Sequence, residues 1–125
     1  MPDRRVLVIE DDSKVRELLR RMLIRQGYTV DEASDGQKGI HSFRNHPADL
    51  IITDLIMPGK EGLETIIDLR REFPRLKIIA ISGGGIDGED SYLNAARLCG
   101  ADRIFPKPLE MQEFLQAVQE LLDRD

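Results

Sequence analysis

Apolar residues along this chain fall into two patterns, short unbroken runs and longer stretches in which they recur every three or four positions. Ile51-Ile52-Thr53-Asp54, fed by Asp49-Leu50, and Lys77-Ile78-Ile79-Ala80-Ile81 are continuous runs of the kind a strand covered on both faces requires. Arg5 to Ile9, with its Val6-Leu7-Val8-Ile9, is a third such run, and Arg103 to Phe105 is a short one stopped by Pro106-Lys107-Pro108. Tyr28 to Ala33 mixes Thr29 and Val30 with Asp31 and Glu32, which is too polar for a central strand and predicts an edge. Between the runs, Val15, Leu18, Leu19, Met22 and Leu23 form a helical stripe, with Asp12 or Ser13 as cap and Gly27 as stop. Ser34 or Asp35 caps a short helix through Ile40 and Phe43 that closes before Pro47. Leu63, Ile66, Ile67 and Arg70 mark a helix ending before Pro74, and Tyr92, Ala95, Ala96 and Cys99 share one face of another. Met111, Phe114, Leu115, Val118, Leu121 and Leu122 mark the last.

Five strand-then-helix units in strict alternation imply an α/β fold, a parallel sheet with helices on both faces and right-handed crossovers. The favoured topology is the doubly wound five-stranded order 2-1-3-4-5, which puts the polar second strand at an edge. Strand order then reverses between strands 1 and 3, and the crevice outside their carboxyl ends is the predicted ligand site.

The chain of 125 residues fits one domain, spanning 1–125, large enough to fold without a disulfide or structural metal. Cys99 is the only cysteine, expected as a small core side chain, and His41 and His46 are expected as solvated helix residues. A net charge of −5 argues against a dedicated nucleic-acid binder, because such binding rests on neutralising phosphates. With neither a charged-then-apolar leader nor a long apolar run, the expectation is a cytoplasmic protein without membrane insertion.

Chemistry gathers at the strand ends. The first strand delivers Glu10 and Asp11, the third Asp54, the fourth Ser82, and Lys107 follows the fifth. Taken singly these are ordinary residues: a strand-end acid is often a cap or a turn residue, and a lysine between prolines is usually exposed. Falling together on one sheet edge, three carboxylates would repel and raise one another's pKa, so the cluster calls for a cation. Mg2+ suits an oxygen-only set that leaves room for water and phosphate, and no His or Cys is placed for a softer metal. Lys107 and Ser82 would add a positive charge and a hydroxyl donor for a phosphoryl group on Asp54.

Ile9-Glu10-Asp11, Thr53-Asp54 followed by Met57-Pro58 and Gly62, Ile81-Ser82-Gly83, and Lys107-Pro108, in that order, resemble the receiver domains of two-component response regulators. The resemblance covers essentially the whole chain and implies a flavodoxin/CheY-like (βα)5 fold. It implies a signalling switch rather than an enzyme, with Asp54 as phosphoacceptor for a histidine kinase or histidine phosphotransfer protein. Glu10, Asp11, Asp54 and the backbone carbonyl of Ile56 would hold Mg2+, Ser82 and Lys107 would bind the phosphoryl group, and Lys107-Pro108 would be cis. The output would be a downstream protein or a further domain, reached through the loop after Ser82 and a face formed by the following helix, strand five and the last helix. That face would also serve any weak dimer, the alternative being a monomer.

Three features depart from the family pattern. The family's switch aromatic falls at Ile104, which is aliphatic, while Phe105 has the opposite strand parity and is expected to face the core. Gly83 to Gly88 forms a long glycine-rich loop, expected to be mobile and to order on phosphorylation, and Ile56 offers no polar group to orient an attacking water, which implies a slowly hydrolysing phosphoaspartate. Gly83-Gly84-Gly85-Ile86-Asp87-Gly88 also matches the dinucleotide-binding pattern G-x-G-x-x-G, but too little chain follows for a second nucleotide-binding half. A Mg2+-dependent aspartyl phosphatase is the other alternative; it needs a second acid just after the nucleophile, where this chain has Leu55-Ile56.

Overall fold

A computed structural model describes residues 4–55, 62–82 and 100–123. In chain order these form β1 (Arg5–Ile9), α1 (Ser13–Arg25), β2 (Thr29–Ala33), α2 (Gly36–Asn45), β3 (Leu50–Asp54), α3 (Gly62–Glu72), β4 (Lys77–Ser82), β5 (Arg103–Pro106) and α4 (Met111–Asp123). The five strands make one parallel sheet in the order β2-β1-β3-β4-β5, the doubly wound topology expected from the alternation of patterns. Polar β2 lies at an edge, as its composition required. The Gly83–Gly88 loop, the helix expected to carry Tyr92, Ala95, Ala96 and Cys99, and the stretch with Ile56, Met57 and Pro58 lie outside the described residues.

Alternation along the central strands divides the interior into two layers. Leu7, Ile9, Ile51, Ile78 and Ala80 face α2 and α3, packing with Ile40, Phe43, Ile66 and Leu69. Val6, Val8, Leu50, Ile52, Ile79 and Ile81 face α1 and α4, packing with Leu19, Leu23, Phe114, Val118 and Leu121. β1, β3 and β4 are thus apolar on both faces, which is why they read as unbroken runs.

The helix signals resolve to particular groups. Asp12 caps α1, its carboxylate accepting from the backbone N–H groups of Lys14 at 2.8 Å and Val15 at 3.3 Å, and Gly27 follows the helix at φ 94°. Asp35, not Ser34, caps α2 by accepting from Lys38 N–H at 2.8 Å. The stripe on α1 proves wider than the face the helix buries: Leu19 and Leu23 are fully enclosed while Leu18 is 51% exposed, and on α3 Ile67 is likewise exposed. Strand β5 runs one residue past the expected stop, to Pro106, which an edge strand tolerates because its missing N–H removes no interior ladder bond.

Where α3 meets the sheet, Gly62 donates its N–H to the carbonyl of Leu55 at 3.2 Å. A Cβ on Gly62 would stand 2.0 Å from the carbonyl oxygen of Asp54 and 2.6 Å from the Cα of Leu55, both backbone atoms with no side chain free to yield. In an open helix, Gly→Ala gains up to roughly 1 kcal/mol, but overpacking against backbone costs roughly 1–3 kcal/mol, so the clash decides the sign. Gly62→Ala is expected to lower unfolding free energy by about 1–3 kcal/mol in urea titration; an equal or higher midpoint would show that β3 and α3 separate without cost.

Candidate functional site

The register of the sheet delivers the polar residues to one edge. Ile9 pairs with Thr53 and Asp54 with Ile81, so Glu10, just past β1, Asp54, ending β3, and Ser82, ending β4, emerge at nearly the same height. The ladder continues past β5, Lys107 N–H donating to the carbonyl of Ser82 at 2.8 Å, which sets the lysine over the same crevice. The Lys107-Pro108 peptide bond is cis, as the resemblance implied.

Glu10, Asp11 and Asp54 each offer a carboxylate oxygen within 4.8 Å of the others, Glu10 and Asp54 buried and Asp11 exposed. Among the described residues, a cation already enters this cluster. Lys107 Nζ donates to Glu10 Oε1 at 2.6 Å and to Asp54 Oδ2 at 2.9 Å, tying the ends of β1 and β3 to the segment after β5. The sequence had called for a cation among three adjacent acids, with Mg2+ the natural one and Lys107 as a second positive charge, and Lys107 relieves part of that repulsion itself. At such separations a pair of unit charges interacts by about 4 kcal/mol near a protein surface, so one ammonium does not balance three carboxylates. The remaining negative charge, on oxygen donors at an open sheet edge, fits a hard divalent ion.

Ser82 is fully buried and its Oγ has no hydrogen-bond partner among the described residues. A buried hydroxyl left unpaired costs about 1–3 kcal/mol, and Ser82 stands one residue beyond the neighbour of Asp54 at this edge. Ile104 is partly buried against the α2 and α3 layer, while Phe105 packs into the opposite layer with its ring 5.6 Å from that of Phe114, edge to face, the parity expected. Ile56 lies outside the described residues.

Sequence patterning did not single out Arg16. It sits on the polar side of α1, where an arginine reads as solvated surface, yet its Nη1 donates to the carbonyl of Glu10 at 2.7 Å. No local signal announced that contact; it appears only once the helix folds back against the end of β1.

Burial pushes the Glu10 carboxyl from its ordinary 4.5 up to about 7, the Lys107 hydrogen bond opposing the rise and the charge of Asp54 adding to it. For Lys107 burial acts downward, but hydrogen bonds to Glu10 and Asp54, with their charges, outweigh it and hold the ammonium above its usual value. Asp12 is lowered, chiefly by the backbone N–H groups of Lys14 and Val15 that it caps.

An acid cluster and a lysine gathered at the switch-point edge of a doubly wound sheet define a class of α/β domain built for a cation and an anionic group together. Residues 6–119 match the family model for the response regulator receiver domain, and the chain belongs to that family, the phosphoacceptor switches of two-component signalling. It is 36% identical over 121 residues to response regulator MprA of Mycobacterium sp. (strain KMS), an alignment covering 96% of this chain and 51% of that protein. MprA of Mycobacterium bovis (strain BCG / Pasteur 1173P2) is 35% identical over the same length, so the chain spans about half the length of the curated relatives it matches. The response regulator protein TrrA of Thermotoga maritima, solved in complex with Mg2+-BeF, is 31% identical with a TM-score of 0.81, covering 94% of this chain and 98% of that one. A CheY-like receiver from Methanospirillum hungatei JF-1 shares the fold at a TM-score of 0.90 and 24% identity, covering 98% and 95% of the two chains.

The raised Glu10 pKa makes folding stability depend on pH. A carboxyl with a folded pKa above its unfolded one takes up a proton on folding, so stability falls as pH rises from about 4.5 to about 7. Lys107 does not contribute in that window, because its stabilisation is fully present below its unfolded value of 10.5. Without divalent ions, urea midpoints are expected to decline across the window for the wild type and to be flatter for Glu10→Gln; identical slopes would remove Glu10 as the titrating group.

Proposed function

We propose that residues 1–125 form a single receiver domain in which Asp54 accepts a phosphoryl group from the phosphohistidine of a histidine kinase or histidine phosphotransfer protein. An Asp54 carboxylate oxygen forms the new bond to phosphorus as the phosphorus–nitrogen bond breaks, and the electron pair and a proton end on the departing imidazole. Lys107 orients the carboxylate and then shares the charge of the phosphoryl oxygens, since its ammonium carries three donors and can keep Glu10 while turning to a new acceptor. Above all, Ser82 supports this function: its buried hydroxyl, without a hydrogen-bond partner among the described residues, would gain an acceptor when an anionic group arrives beside Asp54. Glu10, Asp11 and Asp54 would hold Mg2+, with the backbone carbonyl of Ile56 as a further ligand. Bound Mg2+ would supply charge neutralisation between the acceptor carboxylate and the phosphoryl oxygens.

Phosphorylation adds about one negative charge at the carboxyl edge, and drawing Ser82 toward it would pull on the segment that follows. With aliphatic Ile104 at the switch position, the response is a partial shift that a partner completes, since full conversion from 1:99 to 99:1 needs about 5.5 kcal/mol. The partner is a downstream protein or an output domain, the domain acting in the cytoplasm as a monomer or weak dimer.

Acetyl phosphate with Mg2+ is expected to add the mass of one phosphoryl group to the wild type and none to Asp54→Asn. Ser82→Ala and Lys107→Ala are each expected to slow the gain by roughly a hundredfold. Equal labelling of Asp54→Asn and wild type in intact-mass spectra would reject the assignment.

A further inference from the structure

The acidic turn between β1 and α1 is braced from outside the crevice by a side chain with no part in the chemistry above. Arg16 Nη1 donates to the backbone carbonyl of Glu10 at 2.7 Å. That carbonyl belongs to the peptide unit joining Glu10 to Asp11, so fixing its direction fixes the plane from which the Asp11 Cα and side chain depart. Asp11 is the exposed member of the acid cluster, and its backbone is what places its carboxylate among the others. Glu10 is held separately, its Oε2 accepting from Asp12 N–H at 3.1 Å and its Oε1 from Lys107.

Arg16 is itself anchored. Its Nε lies 3.5 Å from Glu32 Oε1 on β2, and Arg20 approaches the other oxygen of Glu32 at 3.7 Å, so the guanidinium spans from the edge strand to the end of β1. A planar fork can satisfy a carbonyl and a carboxylate together, which a single ammonium does less rigidly.

We propose that Arg16 is a positioning residue for the divalent-cation site: by holding the Glu10–Asp11 peptide plane against Glu32, it preorganises Asp11 as a ligand and sets the affinity for the ion. The proposal rests on the reading of Glu10, Asp11 and Asp54 as that site. Second-layer groups of this kind alter metal affinity by roughly 10–100-fold when removed. The sign separates positioning from plain electrostatics. Deleting a positive charge near a cation site should tighten Mg2+ binding, whereas deleting a brace should weaken it.

The test is Mg2+ titration of the full chain by isothermal titration calorimetry, with the 15N order parameter of the Asp11 amide measured on the metal-free protein. Arg16→Ala is expected to weaken Mg2+ binding by roughly tenfold and to lower the Asp11 order parameter from the rigid range near 0.85 toward about 0.6. Arg21→Ala removes an arginine that pairs only with Glu17 on the same helix, at 2.9 Å among the described residues, and is expected to leave both quantities as in the wild type. Binding to Arg16→Ala that is unchanged or tighter, or an Asp11 amide as rigid as before, would overturn the proposal while leaving the phosphoacceptor function intact. Wild-type protein that fails to take up Mg2+ would overturn both. Should Arg16→Ala not fold, Arg16→Lys is judged by the same two readings, with an expected weakening of about threefold.

Discussion

Everything at the carboxyl edge follows from the cost of crowding like charges where water is scarce. Two buried carboxylates and one exposed one share a space in which they repel, and the surrounding structure is arranged to make that tolerable. Lys107 reaches across from the far side of the sheet to touch two of them, and Glu10 responds to its burial by holding a proton more tightly than a free glutamate does. The site is therefore not neutralised, only held in check. A group brought there by the domain's function enters a place already short of positive charge and already furnished with donors.

Most of the architecture was written in the spacing of apolar residues. Unbroken runs at Val6–Ile9, Leu50–Ile52 and Ile78–Ile81 announce strands covered on both faces, and the charged Asp31 and Glu32 announce an edge, because a parallel sheet leaves its strands no other surroundings. Caps were legible to within one residue, since Asp and Ser side chains can both fold back on the N–H groups two or three positions ahead, and the structure uses Asp12 and Asp35. The limits of burial were harder to see. Leu18 fits the stripe on α1 as well as Leu19 does, and only the curvature of helix against sheet decides which of them is covered.

Within the site, the acids, the serine and the lysine were legible because each sits at a strand end, where pattern changes abruptly from apolar to polar. What escaped was contact between elements distant in sequence. The bridge from Lys107 to Glu10 spans most of the chain, and the one from Arg16 to the Glu10 carbonyl depends on the pitch at which α1 leaves the sheet. Neither is encoded in a local motif. Arg70 makes the same point at the opposite edge: one arginine in the last turn of α3 donates to the carbonyls of Pro74, Leu76 and Gly100, the last at 2.6 Å, and pairs with Asp102, closing the bottom of the sheet where periodicity showed only a helix end.

The parallel register has a further consequence for how such a domain can vary in evolution. Each group at the crevice is indexed to its neighbours by the count of residues along β1, β3, β4 and β5. Losing or gaining one residue inside any of these strands would turn its terminal side chain to the opposite layer and displace it by about 3.3 Å, scattering the constellation. Turns at the amino edge carry no such count. Length changes among descendants of this sequence should therefore collect there, while the four strands keep their residue numbers as strictly as their identities.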